Sequence, residues 1–373
     1  MRVKLKDAFD LQMGKTPPRN DRECWGEGHK WISISDIGSA GKYIDTTKEE
    51  ITDAGVSKSG IKVVPKGTVI MSFKLSIGKT AITAEDMYTN EAIMAFINKG
   101  KYEIDTDYLY HMCKGIDWFE GTNKAVLGLT LNKATMSEKE IEIPPMTEQL
   151  QVVAVLDKMD ELIALRKEQL VKLDQLVKSR FIELFGDRWA NNLGWAQKPL
   201  KDCAAFYNGK AHEPVVDENG EYILVTSKCI ASDQEEYRRT NTLLFPLRCG
   251  DICMVMSDVP NGRALAKCMM ITENNRYTLN QRICCLRDYS LHPVFFMHTL
   301  NRHEYFLSFN DGDSQTNLRK DDLLSCPIIL PPMELQEQFA AFVEQTGKSK
   351  LAIQQSLDKL ELLKKSLMQE YFG

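Results

Sequence analysis

Three Gly-Lys-Ser/Thr triplets are the first residues in this sequence whose types could do chemistry. They begin at Gly14, Gly78 and Gly347. Such a triplet closes the loop that binds phosphate in many nucleotide-hydrolysing proteins, and that loop also needs a glycine five positions earlier. The earlier position holds phenylalanine in all three cases. The sequence therefore contains no phosphate-binding loop of this type.

Other reactive residue types are also present without the spacing that chemistry requires. No lysine follows Asp or Glu by two positions, which excludes the D/E-x-K element of many metal-dependent nucleases. The six histidines form no H-x-x-x-H pair, and the ten cysteines are not spaced like zinc ligands. Ile143-Pro144-Pro145 lacks the polar residue that precedes Pro-Pro in amino-methyltransferases. We expect a chain that is not itself an enzyme and has no catalytic residue, metal site or cofactor of its own.

The composition is that of an ordinary soluble globular protein, with 373 residues, 43% hydrophobic and 27% charged. This length is enough for two or three domains. No apolar stretch approaches the roughly 20 residues that span a bilayer, and we expect no membrane partner. Irregularly spaced cysteines predict buried thiols in a reducing compartment, which favours the cytoplasm. The net charge of −5 is unlike that of most DNA-binding domains, although one local basic face would suffice.

The chain contains an internal duplication. Segment 143–186 returns as segment 330–373 at a constant offset of 187 residues without a gap, carrying IPPM onto LPPM and Gln149 onto Gln336. The preceding segments correspond more loosely, for example in TNEAIMAFI and LNQRICCLR. The repeat predicts four parts: variable domains at 1–143 and 188–330, and repeated helices at 144–187 and 331–373.

Each repeated helix follows a Pro-Pro pair, which holds the residue before it extended and so predicts the end of a strand there. Apolar residues then recur at a spacing close to 3.5. They are Val152, Leu156, Met159, Ile163, Leu170, Leu173 and Val177, and then Phe339, Phe342, Val343, Ile353, Leu357, Leu360 and Leu367. A helix from Thr147 to Phe185 would be about 58 Å long. These one-sided seams favour an antiparallel coiled coil of the two helices over two separate core helices.

The variable domains are expected to be mixed α/β (α+β). Short strands are predicted in HKWISISDI, GTVIMSF, EYILVTS and DICMVMS. Amphipathic helices are predicted in DTDYLYHMCKGIDWFE and HPVFFMHTLNRHEYFL. With the coiled coil between them, the two domains would be related by a pseudo-two-fold axis.

This arrangement resembles the DNA-specificity subunit of Type I restriction–modification systems. The resemblance covers the whole chain and rests on two PPM elements that lead into long helices ending KSRFIELFG and KSLMQEYFG, each after a domain like a target recognition domain. The family often shows PP-x-x-E-Q, which fits Glu148-Gln149, whereas the second copy has Leu335-Gln336. The faces that receive partner subunits are therefore expected to be less symmetric than the repeat.

The resemblance implies partners and cofactors that the residues alone do not. Each variable domain would read one half of a split site in double-stranded DNA. Two modification subunits, which bind S-adenosylmethionine and methylate adenine, would dock on this chain. Restriction subunits that use ATP and Mg can join them. The cofactors would thus belong to the partner subunits.

Residues for reading DNA are expected in loops that place basic and amide side chains beside turn formers. The candidates are Lys15, Arg19, Arg22, Lys74, Lys79, Asn123 and Lys124 in the first domain, and Lys210, His212, Asn261, Arg263, Arg276, Tyr277 and Gln315 in the second. By side-chain geometry, Arg22 and Arg263 suit guanine, and Asn123 and Gln315 suit adenine. A solvated surface position is an equally good interpretation for any one of them.

The two variable domains lack a strong basic footprint. The first has 20 basic and 21 acidic residues, and the second has 16 and 17. We therefore expect weak, salt-sensitive DNA binding by the chain alone, with modification subunits supplying part of the phosphate contacts. The alternative function is a non-catalytic coiled-coil scaffold that joins protein partners, and a third is an enzyme with an unrecognised site.

Overall fold

The computed structural model describes residues 1–74, 76–119, 131–260 and 262–373. It divides into two compact units, Met1–Lys167 with Gln355–Gly373, and Glu168–Gln354. Each unit combines one variable domain with half of each repeated helix. In the described part of the chain, no helix is both long and apolar enough to span a membrane.

The two repeated helices are Met146–Phe185 and Met333–Phe372, each 40 residues long, and are called the first and second long helix below. The strands before them end at Glu142 and Ile329, just ahead of the Pro-Pro pairs. The predicted extended segment before each helix is therefore confirmed. The domain limits at 143/144, 187/188 and 330/331 stay predictions, because the compact units divide within the helices instead.

In the first unit, the two long helices contact each other in antiparallel order. Lys364 pairs with Asp160, and Lys167 lies 2.8 Å from Glu361. The partner number falls as the number along the first helix rises, which requires opposite chain directions.

The second unit shows the same order. Lys350 lies 2.6 Å from Asp174, and the rings of Phe181 and Phe339 are 5.4 Å apart. Every residue of the two predicted seams is buried or half-buried. The apolar spacing in the sequence therefore identified the packed face of each helix.

The first domain consists of a five-stranded sheet, a three-stranded sheet and a strand pair that closes the domain. The five-stranded sheet has the order Phe9–Met13, Ile93–Asn98, Val69–Ser72, Thr80–Thr83, Tyr43–Ile44. The three-stranded sheet has the order Glu49–Ile51, Trp25–Ile32, Tyr88–Thr89, and Arg2–Lys4 pairs with Glu140–Glu142. The helices are Leu5–Ala8, Ile34–Ser39, Asp53–Ser59, Thr106–Gly115 and Lys133–Glu138, with a 3-10 turn at Arg22–Cys24.

The second domain repeats this plan. Its four-stranded sheet has the order Ala205–Asn208, Ile283–Arg287, Ile252–Val255, Cys268–Met270. The three-stranded sheet has the order Arg238–Thr240, Tyr222–Val225, Tyr277–Leu279, and the two-stranded pairs are Gln197–Pro199 with Pro327–Ile329 and Ser257–Asp258 with Thr316–Asn317. The helices are Ser227–Ala231, Pro293–Leu300, Glu304–Leu307 and Lys320–Leu324, with 3-10 turns at Leu200–Asp202 and Glu213–Val215.

The central strands of each main sheet are buried on both faces, which explains why they are apolar without alternation. In the first domain Val69 and Met71 belong to the core that includes helix Thr106–Gly115, and Ile70 belongs to the core that includes Ile37. The second domain shows the same division between two cores. One core contains Ile252 and Met254, and the other contains Cys253 and Val255. The mixed α/β class and the repeat of two domains are confirmed.

Three sequence predictions were wrong in detail. The helix predicted in DTDYLYHMCKGIDWFE ends at Gly115, because the backbone is extended at Ile116. HKWISISDI was predicted as a strand, but the strand ends at Ile32 and a helix begins at Ile34. Ser33 caps that helix through a capping box with Asp36, a local signal that competes with strand formation. The predicted second-domain helix is broken at Arg302, whose φ of 53° is left-handed.

A buried glutamine anchors the start of each long helix. Gln149 is fully buried, its Oε1 accepts from the backbone N–H of Asp105 at 2.9 Å, and its Nε2 donates to the carbonyls of Glu103 and Pro144. Asp105 is also the N-cap of helix Thr106–Gly115. This one side chain therefore ties the first domain to the first long helix.

The second copy repeats the contact. Gln336 is 2% exposed, accepts from the N–H of His292 at 2.9 Å and donates to the Pro331 carbonyl at 2.8 Å. His292 is the N-cap of helix Pro293–Leu300. The repeated glutamine thus has the same structural role in both halves.

Candidate nucleic-acid interface

A Gly-Lys turn follows the first strand of the main sheet in each domain, and the two turns make corresponding hydrogen bonds. They are Gly14-Lys15 after Phe9–Met13 and Gly209-Lys210 after Ala205–Asn208. The N–H groups of Gly14 and Lys15 donate to the carbonyls of Ile93 and Thr89. A Cβ on Gly14 would lie 2.0 Å from the Thr89 carbonyl oxygen, so only glycine fits this close approach. The turn is therefore fixed against the neighbouring strand ends.

The second domain repeats that geometry. The N–H groups of Gly209 and Lys210 donate to the carbonyls of Ile283 and Leu279, and a Cβ on Gly209 would lie 2.0 Å from the Asn280 carbonyl oxygen. Lys210 is exposed. The repeat thus presents a lysine at the same point of each domain.

An Asn-centred turn lies next to each Gly-Lys turn. In the first domain Asn90 Oδ1 accepts from the N–H of Ala92 at 3.0 Å. In the second, Asn280 Oδ1 accepts from the N–H of Arg282 at 3.4 Å. These turns lead into the second strand of each main sheet, Ile93–Asn98 and Ile283–Arg287, which lies between two others. The Asn turn is therefore flanked on both sides by other loops.

A hairpin tip completes the group in the first domain. The N–H of Phe73 donates to the Ala92 carbonyl at 2.9 Å, which joins the hairpin to the Asn turn. At the tip, Ser72 Oγ accepts from the N–H of Lys79 at 3.2 Å. The Lys79 side chain lies against Gly38. Lys74 and Lys79 thus reach the same end of the sheet as the Gly-Lys turn.

The corresponding tip of the second domain is held by Asp258. Its carboxylate accepts from the N–H groups of Val259, Ala264 and Leu265 at 2.6–3.0 Å. A Cβ on Gly262 would lie 2.2 Å from this carboxylate, so the chain passes very close to it. Asp258 therefore fixes the loop that carries Arg263.

Hydrogen bonds connect these pieces at one end of each main sheet, and we call each set a loop cluster. The first-domain cluster is 14–16, 73–74, 76–79 and 90–92. The second-domain cluster is 209–210, 256–260, 262–265, 280–282 and 315–318. In the second domain the N–H of Met256 donates to the Arg282 carbonyl, and the N–H of Leu318 donates to the Met256 carbonyl.

Six of the predicted DNA-reading residues lie in the loop clusters. They are Lys15, Lys74, Lys79, Lys210, Arg263 and Gln315. All are exposed or half-buried. Lys15 has a further structural contact, since its Nζ donates to the carbonyls of Ser59 and Gly60 at 3.1 Å. Gln315 makes a long 3.5 Å contact with Asn317.

Two first-domain candidates lie away from the loop cluster. The Arg19 guanidinium pairs with Glu49 at 2.5 Å and lies 4.0 Å from the ring centroid of Trp25. Arg22 is exposed in its 3-10 turn. Asn123, Lys124 and, in the second domain, Asn261 lie outside the described residues.

Two second-domain candidates are buried and need correction. His212 is 0% exposed, and its ring nitrogens contact the Lys210 carbonyl and Thr278 Oγ1 at 2.7 and 2.9 Å. Tyr277 is 5% exposed, with its hydroxyl 3.2 Å from Gln234. Both side chains are buried within the domain and are not exposed for a contact with DNA. Arg276 is exposed and pairs with Glu273, and it lies just before strand Tyr277–Leu279, at the end away from Asn280.

The structure also brings residues into the clusters that the sequence prediction missed. Gln281 and Arg282 follow Asn280 in the second domain, where the first has Glu91 and Ala92 after Asn90. Gln281, Arg282 and Glu91 are exposed. A sequence signal for these residues exists. The paired segments TNEAIMAFI and LNQRICCLR differ in charge just before a strand, with Glu91-Ala92 in the first and Gln281-Arg282 in the second.

The clusters offer hydrogen-bond donors and cations rather than a reactive centre. No group of His, Cys, Asp or Glu in the described residues could hold a metal ion. Asp258, the acidic residue nearest Arg263 in sequence, is committed to backbone N–H groups. The second cluster therefore presents Lys210, Arg263 and Arg282 without a nearby carboxylate partner among the contacts of the described chain.

Comparison with known proteins gives one consistent family. A model of the Type I restriction modification DNA specificity domain matches residues 1–175 and 192–362. The Type I restriction enzyme MjaIX specificity subunit of Methanocaldococcus jannaschii is 24% identical over 402 residues, which cover 98% of this chain and 90% of that protein. The EcoR124I/EcoR124II specificity subunit of Escherichia coli is 27% identical over 157 residues, covering 40% and 38%.

Solved structures share the fold. A chain from a type I R-M system, studied for its complex assembly and conformational transition, matches with a TM-score of 0.68 at 17% identity, covering 100% of this chain and 97% of that one. The Type I S subunit from M. genitalium matches with a TM-score of 0.51 at 14% identity, covering 100% and 96%. Since the family model matches both halves of the duplication, this chain belongs to the family of Type I restriction modification DNA specificity proteins.

Proposed function

We propose that this chain reads a bipartite site in double-stranded DNA for a Type I restriction–modification complex, one half-site through each loop cluster. The observation that carries the proposal is that one chain builds the same loop cluster twice, in two domains that both match the DNA-specificity family. Membership in this family agrees with the predicted non-catalytic role of the chain, because its relatives are named specificity subunits.

A split site requires two reading surfaces at a fixed separation, and we propose that the two long helices set it as an antiparallel coiled coil. The antiparallel contacts and the buried seams support this. A helix of 40 residues is about 60 Å long. The length of the coiled coil would then determine how many base pairs between the half-sites are not read.

The remaining components would come from partner subunits. We propose that two modification subunits bind this chain and bring S-adenosylmethionine for adenine methylation. Restriction subunits that use ATP and Mg join them where the system also cleaves DNA. The PP-x-x-E-Q difference between Glu148 and Leu335 predicts that the two modification subunits meet unlike surfaces.

DNA binding by the chain alone should be weak and sensitive to salt. Several cations that could meet phosphates are already paired within the protein, as Arg19 is with Glu49 and Arg276 with Glu273. The basic and acidic residues of each domain nearly balance, and each phosphate contact contributes a counterion-release term to affinity that salt weakens. Nanomolar specific binding by the isolated chain would contradict this expectation.

The decisive experiment is a long-read methylation map of the native host with the gene intact and deleted. Loss of one split adenine-methylation motif on deletion is the expected result, and it would reveal the half-sites and the spacer together. An unchanged map, in a host shown to express this gene and a modification subunit, would contradict the proposal and favour a protein scaffold.

A further inference from the structure

The backbone of Arg282 is fixed at the centre of the second loop cluster. Its carbonyl accepts from the N–H of Met256 at 3.1 Å, and its own N–H donates to Asn280 Oδ1. On the opposite side, the N–H of Lys210 donates to the carbonyl of Leu279. Arg282 precedes strand Ile283–Arg287, which lies between two other strands of the sheet. Its Cα position is therefore set from both sides.

The Arg282 guanidinium, by contrast, is exposed and makes no hydrogen bond or ion pair with any residue that the structure describes. Arg263 of the same loop cluster is likewise exposed without a partner among the described residues, whereas three other arginines of this domain are occupied. Arg287 forms a bidentate pair with Asp251, Arg188 bonds the carbonyls of His298 and Thr299, and Arg276 pairs with Glu273. A fixed backbone with an unoccupied, planar, five-donor head is the arrangement that direct readout requires.

The first domain supports the same interpretation by contrast. Its equivalent turn carries Ala92 where the second carries Arg282, and Glu91 where the second carries Gln281. The scaffold around the turn is unchanged, since Asn90 and Asn280 make corresponding contacts. The first domain thus has a buried alanine and an exposed glutamate where the second has an exposed arginine and an exposed glutamine, which is expected if the turn selects bases rather than supports the fold.

We propose that Arg282 is a base-reading residue of the second domain and recognises a guanine, with Gln281 contacting a neighbouring base. This inference rests on the proposed function. Arginine can donate two parallel hydrogen bonds to the N7 and O6 atoms of guanine in the major groove. Glutamine pairs similarly with adenine. Neither residue was among the candidates that loop composition identified.

The test compares Arg282→Ala with Arg282→Lys and with the control Arg248→Ala, each expressed from a plasmid in the deletion host together with the modification subunit. Arg248 is a matched control because it is an exposed arginine of the same domain that lies before strand Ile252–Val255, at the end away from the loop cluster. Long-read sequencing then gives the methylated fraction at the cognate site and at every single-base variant of it. Co-purification with the modification subunit checks folding of each variant.

With Arg282→Ala, discrimination in favour of guanine at one position of one half-site should fall by about 5- to 150-fold, while all other positions keep their preference. Arg282→Lys should lose most of the same discrimination, because lysine cannot make the paired contact. Arg248→Ala should retain the wild-type motif. Lys79→Ala, in the first domain, should change either the base preference at the half-site read by the first domain or the total methylated fraction. It should not change the guanine preference assigned to Arg282.

Two results would overturn the inference while leaving the proposed function intact. One is an unchanged motif at every position with Arg282→Ala. The other is full specificity with Arg282→Lys when Arg282→Ala is inactive, which would assign the residue to a phosphate. If deletion of the gene does not remove a motif, the proposed function fails and this inference fails with it.

Discussion

Replacing Gln149 by alanine should destabilise the first unit strongly although no apolar contact is the target. The side chain is fully buried and makes three hydrogen bonds of 2.9–3.0 Å to the backbone of Asp105, Glu103 and Pro144. The substitution leaves one N–H and two carbonyls without these partners. At about 1 kcal/mol or more for each, the free energy of unfolding should fall by about 3–4 kcal/mol.

The repeat supplies matched comparisons for this measurement. Gln336→Ala removes two hydrogen bonds instead of three and should cost about 2–3 kcal/mol. Gln151→Ala and Gln338→Ala change exposed glutamines on the same helices and should stay within about 0.5 kcal/mol of wild type. Gln149→Ala should therefore be the least stable of the four variants, followed by Gln336→Ala and then by the two exposed-site variants.

Differential scanning calorimetry of the full chain gives the size of the effect, and hydrogen exchange locates it. For a unit of this size about 1 kcal/mol corresponds to 2–4 °C, so Gln149→Ala should lower the first-unit transition by roughly 10 °C. Exchange should rise at the N-terminus of helix Thr106–Gly115. If Gln149→Ala melts with Gln151→Ala, the glutamine is not the anchor described above and the reasoning is refuted.

Three further predictions concern charge. Arg287→Met leaves the 2%-exposed Asp251 carboxylate unpaired and should cost about 3–5 kcal/mol by urea unfolding, with partial recovery when Asp251→Asn is added. Burial lowers the pKa of His303 to about 4 from 6.5, so the neutral ring is favoured in the fold and the unfolded chain binds the extra proton. Stability should therefore fall by about 2 kcal/mol between pH 7.5 and pH 5 from this residue, and His303→Asn, which retains an N-cap acceptor, should flatten that loss. Lys210→Ala, assayed in the complex with its modification subunit, should weaken DNA binding equally for all sequences and reduce the salt slope by about 1, whereas a sequence-dependent effect would assign Lys210 to a base.

The long helices were predictable because their signals are local. A Pro-Pro pair marks the start, the apolar spacing marks the packed face, and both are repeated without a gap. Contacts across sequence were not predictable in this way. Gln149 and Gln336 were visible as a repeated pair, but the residues they anchor lie 44 positions upstream in each case. Only the fold shows that each glutamine meets the N-cap of a domain helix.

The site was predicted unevenly for the same reason. A polar residue beside a turn former was taken as exposed, which holds for Lys79 and Arg263. It fails for His212 and Tyr277. Both residues are buried next to the paired strands Tyr222–Val225 and Tyr277–Leu279. Arg282 was overlooked because it begins an apolar strand sequence, where a charged residue looks like a solvated strand end.

The glycine and asparagine that fix the Gly-Lys and Asn turns are the same in both domains, and the residues that would read DNA differ. Gly14 and Gly209 are both required by carbonyl oxygens 2.0 Å from a Cβ, and Asn90 and Asn280 both close the turn. On that shared scaffold the second domain has Arg282 where the first has alanine. Two copies of one chain in a symmetric dimer would have to carry the same side chain at this point. In a duplicated chain the turn of one domain can change alone. The base preference at one half-site can therefore evolve without altering the fold or the preference at the other half-site.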